Sequence, residues 1–587
     1  MLCPCDLAAI IMKNQEIAEL FSRMGTLLEI KGENVFKIRA YHTAAENILN
    51  LSEDVAILRQ QNRLDEISGI GEALQQKIGE YLDTGHMAAY ETLITEIPET
   101  LLDVMSVPSV GPKKAKLFFS EFKISDVAAL KAAAQSGKLS GLPGIQAKTV
   151  ENILNGIALV EQKQERMDLA TAFQTAETVI RRLKKMPEVK EIVAAGSLRR
   201  MKESVLDIDI LVDSTRPAKV MEAFVHGPDV KEIYSHGETK SSVLTEKNVQ
   251  VDLRVVEPKC FGAALLHFTG SKEFNVRLRQ LAIDQEKKVS EYGIFSVKDG
   301  QEKFLAGRTE QECFKVFGFP YIPPELREEL GAEEIFKAGK NFKVPHLVEL
   351  KSIKGDLHVH STYSDGRSTI AEMAEAARKR GYEYVAISDH SQNLKVADGL
   401  SPADVLKKKK EIDKLNMKYK NFRILLGTET EIDNDGNLDY NDKILSQFDV
   451  VIAAVHSGFE QDAKTITRRL VKACRNKYVH VIAHPTCGHF VKRASIDVDL
   501  TELCKAAADN RVGLEINSFP VRLDLNSAKA YFAKSLGTKL VVNTDAHHTE
   551  HLDFMQFGVA IARRAWLTKK DVLNTLSLKD LLKALEK

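Results

Sequence analysis

The sequence predicts a multidomain chain in three regions: helices at the front, a mixed α/β unit in the middle, and alternating strands and helices to the end. Three observations lead there. At 587 residues the chain exceeds what one hydrophobic core serves and suggests about four domains of roughly 150 residues. Residues 1 to about 158 place apolar side chains at helical spacing, as in EIAELFSRMGTLLEI, with Gly and Pro as punctuation. From about residue 188 the pattern turns to short alternating runs such as LDIDILV and VQVDLRVV. After Pro320, Pro323 and Pro324, strand-like segments recur about every 25 to 35 residues, the rhythm of a parallel βα barrel or a doubly wound sheet.

Composition narrows the class. Hydrophobic residues at 44% and charged residues at 28% suit a globular chain and exclude a disordered or fibrous one. Seven scattered cysteines cannot staple so long a chain, which points to a reducing compartment. The first residues lack the basic-then-apolar pattern of a secretory leader, and no run of 18 apolar residues occurs, so a cytoplasmic chain without membrane contact is expected. Lys+Arg and Asp+Glu balance at 82 each, and residues 1–150 carry 15 basic against 19 acidic residues, so any grip on nucleic acid must be local. Histidine is biased: 10 of the 16 fall in residues 351–587, which points to metal there.

Among the front helices a small motif recurs. The turns around Gly69 and Gly71, around Val110 and Gly111, and around Gly144 each set small or turn-forming residues between helical segments. These read as helix-hairpin-helix units: a Gly turn lets the main chain approach a phosphate, and N–H groups at the next helix start point at its oxygen. Such contacts ignore base sequence and need little net charge. An ordinary αα turn is the plain alternative, and the third copy has Gln146 where a second Gly is expected.

In the middle unit, Asp207 and Asp209 flank Ile208, and a strand period of two puts both carboxylates on one face. A second strand brings Asp252 alongside, and grouped hard oxygen ligands suit Mg²⁺, two ions of which could activate a primer 3′-hydroxyl and steady a leaving pyrophosphate. Upstream, Gly196-Ser197-Leu198-Arg199-Arg200 supplies a flexible turn, a hydroxyl and guanidinium groups that can hold a triphosphate. By these motifs, residues 8–320 resemble the family X DNA polymerases, those similar to DNA polymerase beta. The resemblance implies that Asp207, Asp209 and Asp252 bind the catalytic metals and that Gly196, Ser197 and Arg200 meet the dNTP. It also implies dNTP contacts at Phe268, Gly270, Ser271 and Asn275, and a template contact at Arg279. Leu206 and His267 depart from the family pattern, standing where relatives keep a glycine and a tyrosine. The front of the chain is similar to the family's lyase domain, which implies Lys77 as a Schiff-base nucleophile, with Lys37 and Tyr41 as neighbouring DNA contacts; a solvated helix lysine is the plain reading of Lys77.

Toward the end of the chain, His358 and His360 share one strand face and Asp365 follows in a turn. Further candidates close one strand after another: His390, Glu429, His456, His484, and Asp545 with His547. Functional residues of a βα barrel sit at the carboxyl ends of its strands, so ligands arriving once per unit would converge on one rim. Six imidazoles and three carboxylates exceed the needs of one ion and suit two or three of Zn²⁺, Mn²⁺ or Fe around a nucleophilic water. Residues 352–575 resemble the polymerase and histidinol phosphatase (PHP) family, which implies a distorted barrel with a trinuclear phosphoesterase centre. Asn517 and Arg522 also resemble residues near that centre, and Arg522 suits a substrate phosphate. His548 and His551 match no role and are expected in solvent or supporting positions. The run Lys407 to Lys410 reads as a solvated helix face, or else as a DNA-tracking patch.

The resulting domain plan is a lyase-like helical domain at 1–88, a fingers-like helical domain at 89–158, and a nucleotidyltransferase palm at 159–258. A thumb-like dNTP-selection domain at 259–320, a linker at 321–351 and a PHP domain at 352–587 follow. Both resemblances together imply a monomeric, nucleoid-associated repair enzyme. It would fill short gaps in gapped or nicked DNA with dNTPs under Mg²⁺, and clean ends as a 3′-5′ exonuclease, abasic-site endonuclease or 3′-phosphatase under Zn²⁺ or Mn²⁺. One alternative is an end-processing nuclease or phosphatase whose polymerase core is mainly a DNA clamp; another is a non-catalytic scaffold.

Overall fold

The computed structural model describes residues 4–49, 55–67, 69–107, 110–161, 166–298, 301–490 and 495–587; the turn residues Ser68, Pro108 and Ser109 lie outside these. Two compact units divide the chain, Met1–Glu165 and Arg166–Lys587.

The first unit is helical around a core that includes Phe21, Leu27, Ile48, Ile78, Val104, Phe118 and Ile153. Its three turns share one hydrogen-bond pattern. The N–H groups of Ile70, Val110 and Ile145 donate to the carbonyls of Ile67, Val107 and Leu142, and helices Glu72–Thr84, Pro112–Phe122 and Ala147–Glu161 start just beyond. Gly69 and Gly144 have φ of +78°, which only glycine adopts without strain. A side chain at Gly71, Gly111 or Gly144 would meet nothing within 4 Å, so these main-chain stretches face open space. One difference from expectation is that short 3₁₀ turns, Leu64–Glu66 and Lys138–Gly141, precede the first and third hairpins in place of full helices.

The second unit holds two large sheets. In the palm, five strands run in the order Glu191–Ala194, Ile208–Asp213, Gln250–Val256, Lys240–Thr245, Val230–His236. Strands Ile208–Asp213 and Gln250–Val256 are parallel, and burial of Ile208, Ile210, Val251 and Leu253 against helix Leu169–Leu183 fixes which face carries the acids. The thumb follows, with helix Lys272–Asp284 and a three-stranded antiparallel sheet, Lys287–Ser290, Gly293–Lys298 and Gln301–Ala306. Residues 321–351, expected as a linker, are instead packed: Ile322, Leu326, Ile335, Phe342 and Leu347 join the thumb core, where Trp566 of the barrel also sits. The prolines prevent a long helix but leave room for apolar anchors, and helix Glu329–Ala338 forms within the segment.

The last sheet has seven parallel strands in sequence order, from Gly355–Val359 through Tyr384–Ile387, Arg423–Glu431, Val450–Ala454, Val481–Ile482 and Gly513–Asn517 to Leu540–Asn543. The His360 N–H donates to the Ala546 carbonyl at 2.8 Å, tying the first strand to the loop after the last, so the sheet curls into a nearly closed barrel. Buried on both faces, its strands read as continuous apolar runs.

Candidate metal centres

In the palm, Asp209 and Asp252 lie opposite one another on adjacent parallel strands. Asp207 stands just before the strand Ile208–Asp213 and not within it, half-buried at the same edge. Asp252 accepts from Ser242 Oγ at 2.6 Å and Gln250 Nε2 at 2.9 Å, with Lys240 Nζ 3.5 Å away. Burial, together with the charges of Asp207 and Asp252, pushes the Asp209 carboxyl up to about 7; burial and Asp252 also raise Asp207. Such a cluster favours a cation over three bare charges.

The Gly196–Arg199 turn presses on this edge. A Cβ at Gly196 would stand 2.5 Å from Asp209 Oδ2, and its φ is +61°, so both space and backbone require glycine. Ser197 is half-buried in the same turn. Arg200 differs from an open phosphate ligand: its guanidinium is buried, with Nε donating to Glu328 Oε1 at 2.7 Å and Nη1 to the Thr269 carbonyl. Gly270, at φ +71°, packs beside it. Phe268 lies under the Arg254 guanidinium at 4.4 Å and edge-on to His267. Ser271 caps helix Lys272–Asp284, Asn275 Nδ2 donates to the His267 carbonyl at 2.7 Å, and Arg279 is exposed on that helix.

In the barrel, all nine candidate ligands except His484 fall into three overlapping groups whose ligand atoms lie within 4.8 Å of one another: His360, Asp365, His390 and His547; His358, His360 and Asp545; His390, Glu429 and His456. His484 adjoins them, its Nε2 3.0 Å from Glu429 Oε1. They follow or end successive strands, which is how a parallel barrel gathers residues far apart in sequence. His358 Nε2, both ring nitrogens of His360, His390 Nδ1 and Glu429 Oε2 are buried without a hydrogen-bond partner among the described residues. Orphaned lone pairs on such atoms fit coordination to a metal ion.

Supporting carboxylates, absent from the candidate set, orient these rings. Glu515 Oε1 lies 2.7 Å from His358 Nδ1 and Glu431 Oε2 lies 2.7 Å from His456 Nδ1, which turns each Nε2 inward. His547 Nδ1 is 2.8 Å from the Asp545 carbonyl oxygen. Asn517 Nδ2 donates to both Glu515 and Asp545, and Arg522 Nε is 3.5 Å from Asp545 Oδ2. Burial and the neighbouring His547 and His390 push His360 down to about 4, keeping it neutral. His551 stacks on Phe554 and accepts from the His547 N–H at 3.3 Å, so it supports the rim, while His548 accepts from the Glu550 N–H and caps its own turn.

Two expectations need correction. Lys408 does not belong to a solvated face: it is fully buried, its Nζ 2.8 Å from Asp389 Oδ2 and donating to the carbonyls of Ile387 and Gly427. Asp389 in turn accepts from Ser361 and Ser364 beneath the rim. Tyr41, expected at DNA, is buried edge-on to Phe21 in the helical core. Lys77 Nζ donates to the Ala73 carbonyl at 3.0 Å and Lys37 pairs with Glu33 at 3.5 Å, both at the surface of the helical unit.

A nucleotidyltransferase palm and thumb joined to a barrel with a buried imidazole and carboxylate cluster define a polymerase fused to a metal-dependent phosphoesterase. Comparison with known proteins agrees. Family models match as helix-hairpin-helix domain (residues 12–87), SAM-like helix-hairpin-helix tandem (101–158), DNA polymerase beta thumb (264–328) and PHP domain (356–519). The chain is 40% identical to DNA polymerase/3′-5′ exonuclease PolX of Bacillus subtilis (strain 168), over 97% of this chain and 98% of that one. It is 31% identical to a probable phosphatase of Thermoanaerobacter sp. (strain X514) over 38% of this chain and 89% of that one, and 25% identical to DNA polymerase lambda of Rattus norvegicus over 45% and 48%. The chain belongs to the PolX family, the family X DNA polymerases that carry a PHP domain.

Proposed function

We propose that the chain fills short gaps in DNA by template-directed nucleotidyl transfer in the palm and trims or cleans 3′ ends in the barrel, as a 3′-5′ exonuclease. Its relative's name, DNA polymerase/3′-5′ exonuclease, supports the pairing. The observation that carries the reading is the presence of two separate nests in one unit: Asp209 and Asp252 in register under the Gly196 turn, and the barrel's three overlapping ligand groups.

Asp207, Asp209 and Asp252 would hold two Mg²⁺ ions, and the barrel set would hold two or three Zn²⁺ or Mn²⁺ ions. Bound there, the ions would lower the pKa of the primer hydroxyl or of a water and offset charge on the phosphate. The chain's own residues do the rest. Gly196 and Ser197 bring main chain and hydroxyl to the dNTP phosphates, and Phe268, Gly270, Ser271 and Asn275 line the nucleotide. Main-chain N–H groups beyond Gly71 and Gly111 take backbone phosphates without reading bases, with Arg279 on the template. Arg522, partly exposed beside Asp545, takes a phosphate of the strand being cut.

A one-nucleotide gap with labelled dNTP, and a recessed 3′ end with Mn²⁺, test both halves. Asp209→Ala should lose extension by about 10³-fold or more and keep digestion, and His360→Ala should do the reverse. Digestion equal in wild type and His360→Ala would reject the barrel as the nuclease; extension surviving Asp209→Ala would reject the palm.

A further inference from the structure

Two adjacent arginines in the palm turn are anchored in different places. Arg199 donates to Thr269 Oγ1 at 2.6 Å and to both oxygens of Glu310, and Glu310 also binds the fully buried Arg327. That network stays within the palm and thumb. The one around Arg200 crosses into the barrel: Glu328 Oε1 accepts from Arg200 Nε at 2.7 Å and from Arg564 Nη1 at 2.9 Å, and Arg564 ends the barrel helix Met555–Arg564. Arg564 Nη1 also donates to the Arg200 main-chain carbonyl at 2.9 Å, so the barrel grips that residue by its backbone and, through Glu328, by its side chain. A second tie runs from Arg564 Nη2 to Glu203 Oε2 at 3.5 Å, and Glu203 accepts from the N–H and hydroxyl of Ser527, on another barrel helix.

We infer that Arg564 is a positioning residue for nucleotidyl transfer, holding the Gly196–Arg200 turn over Asp209 from the barrel side. The inference rests on the reading of the palm proposed above. A buried ion network contributes little net stability relative to apolar packing of the same volume; what it can supply is one fixed arrangement. The site is buried throughout: side-chain exposure is 10% for Arg200, 17% for Glu328 and 6% for Arg564. With Nε and Nη1 of Arg200 committed, Nη2 remains for a phosphate oxygen, and its direction is set by Glu328 and thus by Arg564. The turn it belongs to touches Asp209 at the Gly196 end, where no slack exists for drift.

The test is steady-state gap filling by the full chain. Arg564→Met, which keeps the stem and removes the fork, should raise KM for dNTP by about fivefold or more, with kcat within about twofold, and should leave 3′-end digestion unchanged. Arg564→Lys, a milder change that folds more securely, should raise KM by about twofold, since one ammonium cannot take the place of Nη1 between the Arg200 carbonyl and Glu328 and also reach Glu203 as Nη2 does. Glu328→Gln should raise KM as well, and Arg564→Met added to it should have less than its separate effect. Failure of the wild type to incorporate dNTP would overturn the reading of the palm. Incorporation with an unaltered KM in Arg564→Met and Arg564→Lys, or full additivity with Glu328→Gln, would overturn the inference alone.

Discussion

The palm and the barrel solve the same problem, holding cations against a phosphate, with opposite materials. The palm offers three carboxylates at a half-buried sheet edge, and among the described residues only the barrel brings three or more ligand atoms within 4.8 Å of one another. Oxygen ligands at an accessible edge suit a hard ion that comes and goes with the nucleotide it carries. The barrel encloses mostly imidazoles, and a second layer of carboxylates fixes their ring orientation, which suits ions held between turnovers. Burial and supporting layers therefore distinguish the two sites.

The comparison breaks first at Lys408. Removing this buried cation leaves Asp389 charged and unpaired beneath the rim, so Lys408→Met should cost about 3–5 kcal/mol, read as a fall in the denaturation midpoint; a loss under about 1 kcal/mol would mean that the rim does not depend on the pair. Glu515→Gln should weaken barrel metal affinity about 10- to 100-fold and slow digestion while gap filling stays as in wild type, because Glu515 touches His358 and no palm residue. Competition titration with a chelating dye checks this.

A smaller effect comes from pH. Asp209, raised to about 7, is protonated below that value, so protons compete with Mg²⁺ there. Calorimetric Mg²⁺ affinity should rise about fivefold from pH 6 to 7, about twofold more to pH 8, and flatten above. The sign for stability is opposite: the metal-free fold binds that proton more tightly than the unfolded chain does, so its contribution favours folding below 7 and fades as pH rises through 7.

Much of this was legible in the sequence, for physical reasons. The strand-end candidates could be read because a parallel barrel delivers one rim position per βα unit, and the palm acids because a strand alternates with period two. The supporting layer was harder. Glu515 sits in a strand buried on both faces, where a lone acid gives no period. Lys408 did leave a signal: Val405, Lys408, Ile412 and Leu415 form one apolar stripe, and a lysine on it must be buried with a partner. The tie between Glu328 and Arg564 left none, since local spacing says nothing about residues more than two hundred positions apart. Residues 321–351 misled because prolines mark chain bends as readily as free linkers.

Metal content per chain after gentle purification probes the division into two centres most directly. The account predicts up to three transition-metal ions in the wild type, one per ligand group, an unchanged number in Asp209→Ala, and a loss in His360→Ala, whose imidazole belongs to two of the groups. Equal content in wild type and His360→Ala, or a loss in Asp209→Ala, would contradict it.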